Sequence, residues 1–226
     1  MKEGVMSLDA YPFVKDKYQI PTKRNKKKSL KLDEIEAIYN YEREEFSSQD
    51  MAIDFWVLSY LCNGANIKDL ALLKYKNIDS ETITFVRAKT ERNKKDQEPI
   101  IVPLIDEIKD LIKKWSNKDQ DPNNYVFPIL DEGLSPQKQF DRVKGFVKKI
   151  NNNIKPIAKE LNISKKVTTY VARHSFSTVL KRSGASIEFI SESLGHGDTK
   201  TTQNYLDSFE NDVKKEFAAK LTAFKK

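Results

Sequence analysis

The 226-residue chain carries 40 Lys and Arg against 33 Asp and Glu, a net charge of +7 and 38% hydrophobic residues. This size and apolar content suffice for one large domain with a buried core, and the basic surplus favours a polyanionic partner such as nucleic acid. The single cysteine, Cys62, excludes an intrachain disulfide, and the best apolar run, residues 51–62, contains Asp54. Because neither a membrane span nor a signal peptide fits, we expect a cytoplasmic protein with no membrane partner.

The amino-terminal residues 1–29 contain scattered aromatics and the basic run 23–28, which includes Lys26 and Lys27. This composition predicts an arm or linker, whose cations are either a solvated charge run or a strap lying on phosphates. Helical apolar spacing then predicts three core helices, over residues 33–46, 53–61 and 67–73, the second ending at Asn63-Gly64.

The period changes to that of a strand over residues 82–88, and a polar turn leads to a second short strand at residues 100–102. This pattern predicts a hairpin with Lys89, Arg92, Lys94 and Lys95 at or near its tip, and residues 125–127 are a candidate third strand. Ser135-Pro136 predicts the start of a long amphipathic helix that reaches Leu161, with a kink at Pro156. Shorter helices are predicted over residues 173–183, 186–194 and 201–206, and a last one from Asn211.

The chain's two histidines both lie in its last quarter, close to an arginine and a tyrosine. Arg173-His174-Ser175-Phe176 is followed by Leu194-Gly195-His196 and then by Thr201-Thr202-Gln203-Asn204-Tyr205. His196 comes 23 positions after Arg173, and Tyr205 comes nine positions after His196. These residues and spacings closely resemble the signature of the tyrosine recombinases, a family of DNA integrases that includes phage and conjugative-transposon enzymes. The resemblance covers residues 30–226.

The resemblance implies a mainly α fold with a small antiparallel β-sheet (α+β), the tyrosine recombinase catalytic domain. It implies that Tyr205 is the nucleophile, that Arg173 and His196 bind the phosphate or move protons, and that Lys89 is the general acid. Residues 1–29 would then be the linker from a missing amino-terminal core-binding domain, and residues 30–226 the catalytic domain.

Two positions depart from the family pattern. The first catalytic arginine is replaced by Asn66, and the histidine that precedes Arg173 by three positions is replaced by Tyr170. Loss of one phosphate donor costs a factor of about 100 to 1,000 in rate. We expect Lys68 or Arg92 to fill this place in part, and we expect phosphate contacts from Lys68, Arg92, Lys94, Lys95, Lys26 and Lys27.

The residue types suit a transesterification that needs neither a cofactor nor a metal. An arginine fork can grip two phosphate oxygens, and a phenol leaves well when the DNA strand is rejoined. A phenol with a pKa near 10 costs about 4 kcal/mol to ionise at pH 7, so the site must supply positive charge. His174 is expected to pack or bond locally, and Cys62 to be a core residue.

The resemblance further implies a nucleoid-associated protein that acts on double-stranded DNA attachment sites. It implies a monomer in isolation, a homotetramer on DNA, and DNA-bending accessory proteins. One alternative is a catalytically degenerate DNA-binding or regulatory protein of the same fold, suggested by Asn66 and Tyr170. Another is a monomeric type IB topoisomerase with the same nucleophile.

Overall fold

The computed structural model describes residues 29–88, 98–197, 199–203 and 205–206. These ranges contain eight α-helices and one two-stranded hairpin. The helices are α1 Leu32–Tyr39, α2 Ser48–Leu61, α3 Ile67–Ala71, α4 Asp106–Trp115, α5 Pro136–Glu160, α6 Thr169–Arg182, α7 Ile187–Ser193 and α8 Thr199–Gln203. The strands are β1 Thr82–Phe85 and β2 Ile100–Pro103. The predicted mainly α fold with a small antiparallel sheet is confirmed.

Helix α2 is the centre of the fold and packs mainly against α5 and α6. Its residues 50–59 are all buried, because its apolar side chains fill two core clusters and its Asp50 and Asp54 are paired with cations. Phe55 lies in one core cluster with the hairpin and α5, and Trp56 lies in a second cluster with α1 and α6. Each such buried large side chain contributes roughly 1.5–3 kcal/mol of transfer free energy. Cys62, at the end of α2, is buried, and burial raises the pKa of its thiol to about 12.

The hairpin is antiparallel, with Thr82 opposite Pro103 and Phe85 opposite Ile100. The predicted third strand at residues 125–127 is wrong, because Tyr125 forms only an isolated bridge with Lys74. Val126 and Phe127 are nevertheless fully buried. Their apolar run therefore marks a core-filling loop and not a strand.

The first helix is shorter than the sequence pattern predicts. Helix α1 ends at Tyr39, and Phe46 lies outside it with a φ of 59° and an exposed side chain that packs edge-on against Trp115. The intervening Arg43 turns inward and binds both Asp50 and Asp54 of α2 at 2.9 Å. These ion pairs hold the residues after Tyr39 in a non-helical conformation.

Helix α5 begins where expected, with the Ser135 side chain accepting from the Lys138 N–H, and it continues through Pro156. Its Asn151 accepts a hydrogen bond from the Thr169 N–H at 2.9 Å, and Trp56 Nε1 donates to the Thr168 carbonyl at 3.0 Å. Two neighbouring helices thereby fix the start of α6, the helix that carries Arg173. Among the described residues, no helix is long and apolar enough to span a membrane.

Candidate active site

Arg173 is the most deeply buried charged group of the site, with 1% of its surface exposed. Its Nη1 donates to the Gly64 carbonyl at 2.9 Å, and its Nη2 donates to the Leu194 carbonyl at 2.6 Å. Gly64 has a φ of +63°, and a Cβ there would lie 2.9 Å from the Arg173 Cα. The turn after α2 therefore requires glycine, both for its left-handed backbone and for its contact with α6.

His196 follows α7 and lies beside this guanidinium. Its Nε2 is 3.1 Å from Arg173 Nη2, and its Nδ1 is 2.9 Å from Thr202 Oγ1. A guanidinium can only donate, so Nε2 is the acceptor, and the neutral ring carries its proton on Nδ1 toward Thr202. The arrangement leaves His196 with its basic nitrogen turned into the site.

Tyr205 lies over these two residues. Its ring centroid is 5.5 Å from the Arg173 guanidinium carbon and 5.1 Å from the His196 ring centroid. The hydroxyl of Tyr170, on α6, donates to the Tyr205 hydroxyl at 2.9 Å. Tyr170 and Arg173 of α6 thus meet His196 and Tyr205, from the segments that follow, at one place.

The two tyrosine hydroxyls ionise in a definite order. Burial raises the pKa of Tyr205, but the hydrogen bond from Tyr170 and the charges of Arg173 and Arg87 outweigh it, so the pKa is lowered overall. Burial and the hydrogen bond to Tyr205 raise the pKa of Tyr170 to about 12. Tyr205 is therefore the hydroxyl that reaches the phenolate form, and Tyr170 remains its donor.

His174 holds the backbone of Tyr205. Its Nδ1 is 3.2 Å from the Tyr205 carbonyl oxygen, to which it donates, and its ring lies 4.8 Å from the Tyr205 ring. The side chain is 5% exposed. Its geometry agrees with the expected local bonding, and that bonding fixes Tyr205 in place.

Comparison with known proteins identifies the family of this chain. The model of the phage integrase family matches residues 28–212. The chain belongs to the phage integrase family. The resemblance drawn from the sequence motifs is therefore confirmed.

Curated relatives of this integrase-family chain include tyrosine recombinases from bacteria and archaea. A tyrosine recombinase XerD from Halalkalibacterium halodurans is 30% identical over 182 residues, which cover 79% of this chain and 56% of the relative. A tyrosine recombinase XerA from Pyrococcus horikoshii has the same identity and the same coverage of both chains. The chain thus spans about half the length of these relatives.

Solved structures support the same fold. The crystal structure of XerA recombinase has a TM-score of 0.57 and 24% identity, over 87% of this chain and 65% of the other. The XerH recombinase bound to a palindromic difH substrate has a TM-score of 0.58 and 17% identity, over 90% and 56%. The Tn1549 transposon integrase in complex with circular intermediate DNA has a TM-score of 0.54 and 17% identity, over 87% and 68%. The predicted recombinase catalytic-domain fold is confirmed.

The two divergent positions of this family member lie in different surroundings. Tyr170 is in the site, whereas Asn66 begins α3 and binds Asp69 through its own N–H at 3.2 Å and through Nδ2 at 3.3 Å. Lys68 is exposed on α3. Lys26, Lys27, Lys89, Arg92, Lys94, Lys95 and the predicted helix from Asn211 lie outside the described residues, so what was expected of them stays a prediction.

The sequence motifs missed Arg87. It is 5% exposed, and its guanidinium hydrogen-bonds Tyr205. A signal for it exists, because Ile83 and Phe85 face the core from β1 and Arg87 continues the same alternation. A buried arginine needs a polar partner, and Tyr205 is a partner of Arg87.

No group of three or more His, Cys, Asp or Glu that could hold a metal ion occurs among the described residues. The polar groups that converge on Tyr205 are guanidinium, imidazole and phenol. Groups of this kind can bind phosphate oxygens by hydrogen bonding and charge.

Proposed function

We propose that this chain is the catalytic domain of a site-specific DNA recombinase, with residues 30–226 as the domain and residues 1–29 as a linker. The observation that carries the proposal is Tyr205, whose ring centroid lies 5.5 Å from the Arg173 guanidinium carbon and whose hydroxyl has a lowered pKa. Family membership, the net charge of +7 and the DNA named in the descriptions of the XerH and Tn1549 structures support DNA as the substrate.

The proposed reaction exchanges one phosphodiester for another. The Tyr205 oxygen forms a bond to phosphorus while the bond from phosphorus to the 5′ oxygen breaks, leaving a 3′-phosphotyrosyl link. The phenolic proton passes to a base, for which His196 Nε2 is the candidate once Arg173 Nη2 turns from it to the phosphate, and Lys89 gives a proton to the departing 5′ oxygen. Attack by a 5′ hydroxyl of another strand reverses these steps and releases Tyr205.

Arg173 would stabilise the negative charge that grows on the nonbridging oxygens. Burial, and next the repulsion from Arg87, lower the pKa of Arg173 to about 10, which still leaves it charged at pH 7. Its Nε is buried and has no hydrogen-bond partner in the described part of the chain. An unsatisfied buried donor of this kind is a further sign that Arg173 has a functional role.

The remaining assignments concern the DNA complex as a whole. We propose that a mobile element uses this protein in the cytoplasm, at the nucleoid, and that the protein is a monomer in isolation and a homotetramer on its attachment sites. DNA-bending accessory proteins would assist the assembly. The proposed phosphate contacts come from Lys26, Lys27, Lys68, Arg92, Lys94 and Lys95.

A covalent adduct with DNA tests the activity. The chain is incubated with labelled, nicked duplexes whose sequence around the nick is randomised, so that cleavage releases a short fragment and traps the protein on the DNA. Trapped DNA is recovered from a denaturing gel and sequenced. We expect an adduct that Tyr205→Phe abolishes and that Tyr39→Phe, a change at an exposed tyrosine of α1, leaves intact.

The outcome separates the proposal from the degenerate alternative, for which Asn66 and Tyr170 are the motivating observation. DNA binding in a gel shift without an adduct on any sequence would favour a DNA-binding or regulatory protein. Relaxation of an arbitrary supercoiled plasmid, without selection of particular sequences in the trapped pool, would favour a type IB topoisomerase.

A further inference from the structure

Arg87 lies directly beyond the first strand of the hairpin, with its side chain in the protein interior. The residues of β1 alternate between partly exposed and buried, and Ile83 and Phe85 are the buried ones. Arg87 follows in the same register and is 5% exposed. Burial of a guanidinium is costly unless charge and hydrogen bonds compensate it, so this position is a candidate functional site.

One carboxylate ties the Arg87 segment to the position where the family's first arginine is replaced. Asp69 Oδ2 accepts from the N–H and the Nδ2 of Asn66, while Asp69 Oδ1 accepts from the Ala88 N–H at 3.0 Å. Asp69 is itself buried. The start of α3 and the residue after Arg87 are therefore held side by side, although they are about twenty positions apart in the sequence.

The Arg87 side chain points from this junction toward the nucleophile. Its guanidinium hydrogen-bonds the Tyr205 side chain, and its charge acts on Arg173 and on Tyr170. Its Cδ would lie 3.8 Å from a Cβ at Gly195, the residue before His196. Arg87 thus reaches the same space as Arg173 and His196, from the opposite element.

We propose that Arg87 is a catalytic residue that supplies the second phosphate-binding guanidinium of this site, in place of the arginine that Asn66 replaces. The inference rests on the proposed function. Two like charges close together in the interior repel one another, and a phosphate diester between them would relieve that repulsion. Arg87 in this role grips a nonbridging oxygen from the hairpin side while Arg173 grips from α6.

The test uses a substrate that lacks the charge. Once the trapped DNA sequence is known, a second nicked duplex is made with a methylphosphonate at the scissile position, where a neutral methyl group replaces one nonbridging oxygen. We compare the parent with Arg87→Met, which keeps the length and apolar stem of the side chain, and with Arg87→Lys. Arg142→Met, at an exposed arginine paired with Asp131, is the matched control.

For ordinary DNA we expect Arg87→Met to lower the cleavage rate about 100- to 1,000-fold, which is the usual effect of losing one such donor. On the methylphosphonate duplex the same variant should cleave within about tenfold of the parent, because the charge that Arg87 neutralises is gone. On ordinary DNA the cleavage rate of Arg87→Lys should lie between the rates of the parent and of Arg87→Met. The cleavage rate of Arg142→Met should match that of the parent on both substrates.

Several outcomes would overturn the inference. An Arg87→Met rate equal to that of the parent, or an equal loss on both substrates, would show that Arg87 does not neutralise the phosphate. If the methylphosphonate duplex restored cleavage by Lys68→Met or Arg92→Met but not by Arg87→Met, the role would belong to Lys68 or Arg92.

A measurement without DNA separates this inference from the proposed function. The ultraviolet titration of Tyr205, taken as the difference between each protein and its Tyr205→Phe partner, should shift to higher pH in Arg87→Met and not in Arg142→Met. Thermal melts of the variants show whether each is folded. If the parent forms no adduct, the proposed function fails. If the adduct forms but neither the titration nor the methylphosphonate distinguishes Arg87→Met, the inference alone fails.

Discussion

Tyr170 donates a hydrogen bond from its hydroxyl to the hydroxyl of Tyr205 at 2.9 Å, where the family usually has a histidine on α6. A phenol cannot carry a positive charge, so this replacement removes a cation from the site. It supplies instead a neutral donor that stabilises the phenolate form of Tyr205.

Tyr170→Phe should make Tyr205 harder to ionise. Without this donor the pKa of Tyr205 rises, so the pH profile of adduct formation should move to higher pH. The cleavage rate at pH 7 should fall, because a smaller fraction of Tyr205 is then in the phenolate form. Single-turnover cleavage measured from pH 6 to 10 checks this. Tyr170→His should retain cleavage, and a Tyr170→Phe profile that overlays the parent's would show that the hydrogen bond is unimportant.

Gly64→Ala should damage both stability and cleavage. Its Cβ would lie 2.9 Å from the Arg173 Cα, and its φ of +63° is strained for alanine. We expect a loss of about 2 kcal/mol or more in the free energy of unfolding, together with slower adduct formation. Denaturant unfolding measures the first and the suicide-substrate assay the second.

The matched control is Gly145→Ala, in the exposed part of α5, where a Cβ would meet nothing within 4 Å. That change should raise stability by about 0.5–1 kcal/mol and leave cleavage unchanged. If the two alanine variants have the same free energy of unfolding and the same cleavage rate, the close approach of Gly64 to α6 contributes to neither.

Tyr205 should cleave in cis, because the described fold brings it onto the Arg173 and His196 of its own chain. Tyr205→Phe and Arg173→Lys should each form almost no adduct, and an equal mixture of the two should form no more. Mixtures of each variant with the parent control for subunit exchange. Adduct in the mixture of the two variants would mean that one subunit donates its tyrosine to another.

A buried charge cluster, remote from the reacting groups, should contribute to stability. Asp54 accepts from Arg43 Nη2 at 2.9 Å, from Lys114 Nζ at 2.8 Å and from Trp115 Nε1 at 2.7 Å. Asp54→Ala leaves Arg43 and Lys114 to share Asp50 and removes an acceptor of Trp115 Nε1, so it should cost about 2–4 kcal/mol in the free energy of unfolding, measured by denaturant. Asp106→Ala, at an exposed pair with Lys109, should change the melting temperature little.

The same cluster sets a pH dependence. Burial raises the pKa of Asp50, but hydrogen bonds from Lys114, the Phe46 N–H and Arg43 outweigh it, so the pKa is lowered. The folded state therefore gains stability from Asp50 above the unfolded pKa of about 3.9, and loses it as the pH falls through the lower folded value. Unfolding measured between pH 2 and 7 should show a smaller acid loss in Asp50→Asn. An unchanged acid limb would contradict this.

The sequence alone determined the family, the fold class and three of the residues that meet at the site. Arg173, His196 and Tyr205 could be found because their spacing is fixed by two short helices and the turns between them. Helix α2 and the hairpin were found for a similar reason, since local periodicity and the Asn63-Gly64 stop are written in neighbouring residues. The predicted end of α1 and the predicted third strand were wrong, because Arg43 pairs with Asp50 and Asp54 of the next helix and Val126 donates its N–H to the Leu73 carbonyl.

The surroundings of Tyr205 could be determined only from the tertiary structure. The hydrogen bond between Tyr170 and Tyr205 joins residues 35 positions apart, and the Asp69 bridge joins α3 to the end of the hairpin. Whether an arginine such as Arg87 faces solvent or a phosphate site depends on which element packs over it. That packing is a long-range property of the folded chain, so neither the basic surplus nor the motif spacing could reveal it.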